Sequence, residues 1–182
     1  AASAPGRFID PVVSHVYEPG SVFKMMTAAI ALQAGTVTRS TMFKDVGTLK
    51  LDGGRTKIDN ADRKGMGPIS FEDGIAYSRN VIAAKVALSL GKTVDASSAM
   101  LHDTWMKLGY GRPTGMDVAG EEGGIVRDPG VTPWREIDLA NAAFGQGVAV
   151  TPIQLVNAYA ALLNGGTVVK PHVVKAVGAQ DV

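Results

Sequence analysis

Residues 17–34 read YEPGSVFKMMTAAIALQA, and Gly35 follows. Pro19 and Gly20 turn the chain, Ser21 opens a helix, and a glycine closes it, as helix C-termini favour. The pattern predicts a helix from Ser21 to Ala34. Its polar residues after Ser21 are Lys24, Thr27 and Gln33 alone. A helix apolar nearly all round is a buried, central one. Lys24 then stands against two rules, because the first turn favours anions and burial disfavours an ammonium. Both lower its pKa, and a lysine so placed can act as a neutral general base near neutral pH. Ser21, three residues back, shares its face. A serine hydroxyl beside a base is an activated nucleophile, and the free N–H groups at a helix start can hold a developing oxyanion. Ser21 also suits an ordinary N-cap, and Lys24 can reach water along its alkyl stem. The stretch alone leaves both readings open.

The rest of the chain supplies the context. With 46% hydrophobic and 19% charged residues in 182, it is expected to be globular, with enough length for a real core. A net charge of +1 argues against a nucleic-acid surface built on basic excess. The absence of cysteine excludes disulfides and thiolate metal sites. His15, His102 and His172 are far apart, without H-x-x-x-H spacing, so no metal or cofactor is expected. No run approaches the ~20 apolar residues of a membrane span. The chain opens without Met at AASAPGRF and closes at VVKAVGAQDV, ends expected of an excerpt from a longer protein.

Glycine, at 22 residues, clusters in DGGR, GMG, LGYGRPTG, AGEEGG and FGQG and marks loops between helices. A second helical region opens at Ser70, where SFED approximates a capping box, breaks near YSRN and resumes as VIAAKVALSLG. A third helix is predicted over Asp95–Leu108, closed by Gly109. The last starts at Thr151 in TPIQ, with Thr151 as cap, Pro152 at the first helical position and Gln154 completing the box. TLKLDGGRTKID, residues 48–59, alternates around Gly53-Gly54 as a hairpin does. TVVKPHVVKAV, residues 167–177, is expected to be extended, with Pro171 confining it to an edge or a break. A second S-x-x-K, SLGK at Ser89–Lys92, lies at a helix end and reads as structural.

Two motifs taken together point further. SVFK (Ser21–Lys24) and SRN (Ser78–Asn80) resemble the S-x-x-K and S-x-N motifs of the penicillin-binding proteins, a set shared with class A β-lactamases, and the gap between them is of that family's size. GPISFEDGIAYSRNVIAAKVALSLG, LGYGRPTGMDVAGEEGG and FGQGVAVTPIQLVNAYAALLNGG resemble the corresponding segments of the class B members, D,D-transpeptidases of peptidoglycan synthesis. The resemblance implies that Ser21 is the nucleophile, Lys24 its general base, and Ser78 a proton relay to the leaving nitrogen. Asn80 is implied to bind the substrate's backbone amide and to help hold Lys24. The implied substrate is a stem peptide ending in D-Ala-D-Ala, and β-lactams are the implied inhibitors. FGQG is expected to be a structural turn beneath the cleft.

The family's third motif, K-[ST]-G, is not found; GKT at Gly91–Thr93 has the wrong order and place. The implied fold is therefore α+β, predominantly helical as present here. It is the helical part of the penicillin-binding protein/serine β-lactamase-like transpeptidase fold, with most of the antiparallel sheet absent. Residues 1–182 are expected to be a partial transpeptidase domain, truncated at both ends and impaired or inactive alone. The parent is implied to be membrane-anchored, on the extracytoplasmic face of the cytoplasmic membrane, in a cell-wall synthesis complex. The alternatives are a β-lactamase or β-lactam sensor on the same scaffold, for which Glu121 or Glu122 offers a water-activating carboxylate, and a non-catalytic scaffold or binding module.

Overall fold

Caps and turns set where each element begins. The computed structural model describes residues 9–177 and 180–181. In chain order the elements are α1 (Pro11–Ser14), a 3₁₀ turn (Gly20–Phe23), α2 (Lys24–Gln33), β1 (Met42–Asp45) and β2 (Thr48–Leu51). After a second short turn come β3 (Thr56–Asp59), β4 (Gly67–Ser70), α3 (Phe71–Ala76), α4 (Asn80–Leu88) and α5 (Val94–Lys107). The chain continues through α6 (Glu136–Ala142), α7 (Pro152–Leu163), β5 (Ala176–Val177) and β6 (Gln180–Asp181). The fold is α+β and mainly helical, and its described strands form three separate antiparallel pairs, β1–β4, β2–β3 and β5–β6.

The chain divides into two compact units. One takes in Glu18–Thr104 and Arg127–Val148; the other takes in the residues through Tyr17, Trp105–Val126, and Ala149 onward. In the first, α4 is the central helix: Val81, Ile82, Ala83, Ala84, Val86 and Ala87 are fully buried. It packs on α2, α3 and α6. Its alanines let neighbours approach closely, and Gly74 on α3 lies so near that an added Cβ would come within 2.5 Å of the Ile82 side chain. The helix read as central from its composition, α2, buries Met26, Ala28, Ile30 and Ala31 but leaves Met25 and Leu32 nearly half exposed. α2 closes as expected: Gly35 adopts φ +67°, and Thr36 N–H returns to the Ala31 carbonyl, the glycine-closed end of a helix.

The hairpin around Gly53-Gly54 is present, with Thr48 opposite Asp59 and Leu51 opposite Thr56. The β1–β4 pair, Met42 opposite Ser70 and Asp45 opposite Gly67, encloses it and was not foreseen. Ser70 caps α3, accepting from Asp73 N–H at 3.0 Å. SLGK forms a turn in which Gly91 N–H donates to the Ser97 hydroxyl at 2.8 Å.

In the second unit, α7 opens on the capping box foreseen at Thr151: Gln154 N–H donates to Thr151, and Thr151 N–H donates to Gln154. α1 packs on α7, and Tyr17 and Val150 exchange backbone hydrogen bonds. Of the segment expected to be extended, residues 167–177, only Ala176–Val177 joins a ladder. The N–H groups of Val173 and Val174 donate instead to the Asp117 carboxylate, at 2.7 and 2.8 Å, which takes them out of any strand.

Candidate active site

Ser21 does not cap a regular α-helix. It lies in the 3₁₀ turn that runs into α2, so Lys24 is the first α-helical residue. The turn is seated on the segment around Phe144–Gly147. Gly20 N–H donates to the Gly145 carbonyl, Gly147 N–H to the Glu18 carboxylate and the buried Thr27 hydroxyl to the Ala143 carbonyl. Gly145 has φ +76°, and a Cβ there would meet the Gly20 carbonyl oxygen at 2.5 Å and nitrogen at 2.7 Å. FGQG is thus the platform under the turn that carries Ser21, and backbone lies too near for any side chain at position 145.

Lys24 is only 2% exposed. Its Nζ lies 3.2 Å from Ser21 Oγ, 2.9 Å from Ser78 Oγ and 2.6 Å from the Ser78 carbonyl oxygen. The Phe144 ring centre is 6.0 Å away, at the outer reach of cation–π attraction. Burial, and then the positive charge of Arg79, lowers the Lys24 pKa to about 8. Both serines are exposed. The amine therefore sits behind two accessible hydroxyls. In its neutral form it can accept the Ser21 proton while still donating to the Ser78 carbonyl.

Ser78 owes its place to a strained turn. α3 ends with Arg79 N–H donating to the Gly74 carbonyl and Ser78 N–H to that of Ile75. Ser78 occupies the left-handed position of this helix end at φ +54°, where glycine is usual. A non-glycine residue there costs about 1–2 kcal/mol, and only a side-chain task or firm surroundings keep one there. The turn aims both oxygens of Ser78 at Lys24.

Asn80 makes a contact that the sequence did not announce. Its amide nitrogen donates to the Asp59 carbonyl at 2.9 Å, while the Lys24 amine is held by Ser21 and Ser78. The reason is local: Asn80 is the first residue of α4, alongside β3, where a strand carbonyl is within reach. Glu121, the alternative water-activating carboxylate, accepts from Thr114 N–H and hydroxyl and from Gly115 N–H, so it is committed to tying its own loop. Among the described residues no group of three His, Cys, Asp or Glu side chains converges as a metal site would require.

Sequence reasoning missed the support behind the motif. Arg79, 8% exposed, donates from Nε to Asp45 at 2.8 Å and from Nη1 and Nη2 to Asp62 at 3.0 and 3.1 Å. It also donates to the Lys64 carbonyl. Burial alone would raise the Asp45 carboxyl, yet bonds from Asn60, Gly47, Arg79 and Met66 together hold it below the usual range. The partners are 34 and 17 residues from Arg79, so no short pattern announces them.

Comparison with known proteins identifies the family of the chain. Residues 3–181 match the penicillin binding protein transpeptidase domain. Among curated relatives, Stage V sporulation protein D of Bacillus subtilis is 37% identical over 161 residues, covering 87% of this chain and 23% of that protein. Peptidoglycan D,D-transpeptidase MrdA of Escherichia coli is 33% identical over 165 residues, covering 86% and 25%. The solved structure of Pseudomonas aeruginosa PBP2 in complex with WCK 5153 superposes with a TM-score of 0.85 at 29% identity, covering 96% of this chain and 40% of that one. The chain thus spans about a quarter of the length of these curated relatives.

Proposed function

This chain belongs to the penicillin-binding protein transpeptidase family, in its class B branch, and we propose that it carries the nucleophilic centre of a serine-type peptidoglycan D,D-transpeptidase. The observation that carries this reading is the buried Lys24 amine held between the Ser21 and Ser78 hydroxyls. Ser21 Oγ attacks the carbonyl carbon of the penultimate D-Ala of a stem peptide as neutral Lys24 takes its proton. The tetrahedral adduct collapses by breaking the C–N bond to the terminal D-Ala. The proton passes from Lys24 through the Ser78 hydroxyl to the departing nitrogen. An amine of a neighbouring strand then attacks the ester, forms the crosslinking amide and restores the Ser21 hydroxyl. Asn80, half-buried at the mouth of α4, binds the substrate's backbone amide.

A β-lactam follows the same first step. Its amide bond opens onto Ser21, but the leaving nitrogen stays tethered, and the ester is long-lived. The reading places the protein at the extracytoplasmic face of the cytoplasmic membrane, within cell-wall synthesis. No helix among the described residues is long and apolar enough to cross a membrane. The 182 residues contain no K-[ST]-G, the motif whose cation receives the substrate carboxylate, and on this reading they act weakly or not at all without that strand.

The test is release of D-Ala from a synthetic stem peptide, with an acceptor amine present, by a chain extended through a K-[ST]-G strand. Release and crosslinked product are expected, and both are lost in Ser21→Ala. Turnover that survives Ser21→Ala would refute the assignment.

A further inference from the structure

The middle residue of S-x-N has no part in the proton path described above, yet its side chain makes four hydrogen bonds. Three consecutive residues are fastened to Asp45 at the end of β1 and to the region that follows it. The Arg79 guanidinium is forked between Asp45 and Asp62 and reaches the Lys64 carbonyl. Asn80 donates to the Asp59 carbonyl. Val81 N–H, a free donor at the start of α4, is capped by Asn60 Oδ1 at 3.0 Å, while Asn60 Nδ2 donates to Asp45 at 2.7 Å. Asp45 therefore holds both the guanidinium and the side chain that caps α4, and its own side chain is fully buried. A bidentate, charge-assisted fork fixes direction as well as distance. The residue immediately before this clamp is Ser78, whose left-handed backbone needs surroundings that enforce it.

We propose that Arg79 is the positioning residue for Lys24: clamped by Asp45 and Asp62, it locks the turn at Ser78 that presents a carbonyl and a hydroxyl to the amine. The role of the array in acyl transfer rests on the function proposed above; the clamp does not. Arg79 touches no substrate in this account. It acts through Ser78, and it is also the other positive group bearing on Lys24. A test must therefore separate its geometry from its charge.

Two variants, one single and one double, do so in the 182-residue chain. Arg79→Lys keeps the charge but loses the fork. The pair Asp45→Asn with Arg79→Gln removes one positive and one negative charge together, leaving no buried ion without a partner. NMR reads two quantities in each: the backbone φ of Ser78 from its couplings, and the titration midpoint of Lys24 from its side-chain resonances. The expected result in both is a Ser78 that leaves the left-handed region; in Arg79→Lys, which keeps the positive charge, the Lys24 midpoint is also expected to rise by about one pH unit as the amine gains water. Should the paired variant not fold, Arg79→Lys, which still neutralises Asp45, gives the answer alone. A folded variant with both quantities as in the parent overturns the proposal. Neither readout requires turnover, so an inactive chain leaves this test intact, and an active one with an unmoved Ser78 refutes the clamp alone.

Discussion

The role proposed for Lys24 sets two opposing demands: a general base must be neutral when it acts, and a buried ammonium must be tolerated at all other times. Its value near 8, against an ordinary 10.5, makes acylation of Ser21 rise with pH through about 8 and level off above, measurable as the pH profile of β-lactam labelling. The same shift bears on stability. Between about 8 and 10.5 the unfolded chain still binds the proton that the folded chain has released, so stability rises with pH across that window. Below about 8 the contribution is constant and unfavourable. The stability of the parent minus that of Lys24→Met should climb between these pH values, by at most about 1.4 kcal/mol per unit, in denaturant titrations; a flat difference would contradict the burial argument. Ser78 makes a second residue-scale prediction. Ser78→Gly and Ser78→Ala lose the same hydroxyl, but only glycine is at ease at φ +54°, so Ser78→Gly should be the more stable by about 1 kcal/mol, while both lose the relay proposed for this hydroxyl.

The break between α3 and α4 and the turn before α2 are the two elements on which the site is built, and they differ in how far the sequence announces them. SVFK could be read because Lys24 violates both the dipole and the burial rule in one turn. The interruption at YSRN could be read as a break. Its cause could not, since a positive φ at a serine leaves no compositional trace. The strands β1 and β4 escaped notice because each has four residues and Pro68 interrupts the pattern of the second. Asn80 was expected to bind a substrate amide and to help hold Lys24; its bond to the Asp59 carbonyl was not foreseen, because nothing in S-R-N says which strand carbonyl will lie beside it. The platform under Ser21 yields a paired prediction. Gly145→Ala forces a Cβ against the Gly20 backbone and should cost roughly 2–4 kcal/mol, from left-handed strain plus overpacking. Gly147→Ala, with nothing near its Cβ, should cost only the left-handed strain of about 1–2 kcal/mol. Equal losses in chemical denaturation would contradict the platform.

For the molecule as a whole, family membership was legible because three long segments, not one motif, carry it: residues 67–91, 108–124 and 144–166. The division into two compact units was not, because each unit is assembled from segments distant in sequence, Arg127–Val148 joining Glu18–Thr104 in one of them. On the proposed function, Ser21, Lys24 and Ser78 serve as nucleophile, base and relay, while the 182 residues contain no K-[ST]-G, so a substrate carboxylate would lack that motif's cation. The chain alone should label with a fluorescent penicillin far more slowly than a chain extended through that strand. Equal labelling rates would show that the strand adds nothing to acylation. The central claim, that Ser21 is the nucleophile and Lys24 its base, is met most directly by intact mass and peptide mapping of the extended chain after incubation with penicillin. A single adduct on Ser21, absent in Ser21→Ala and strongly reduced in Lys24→Ala, is the expected result. An adduct on another residue, or one that forms undiminished in Lys24→Ala, would contradict the account.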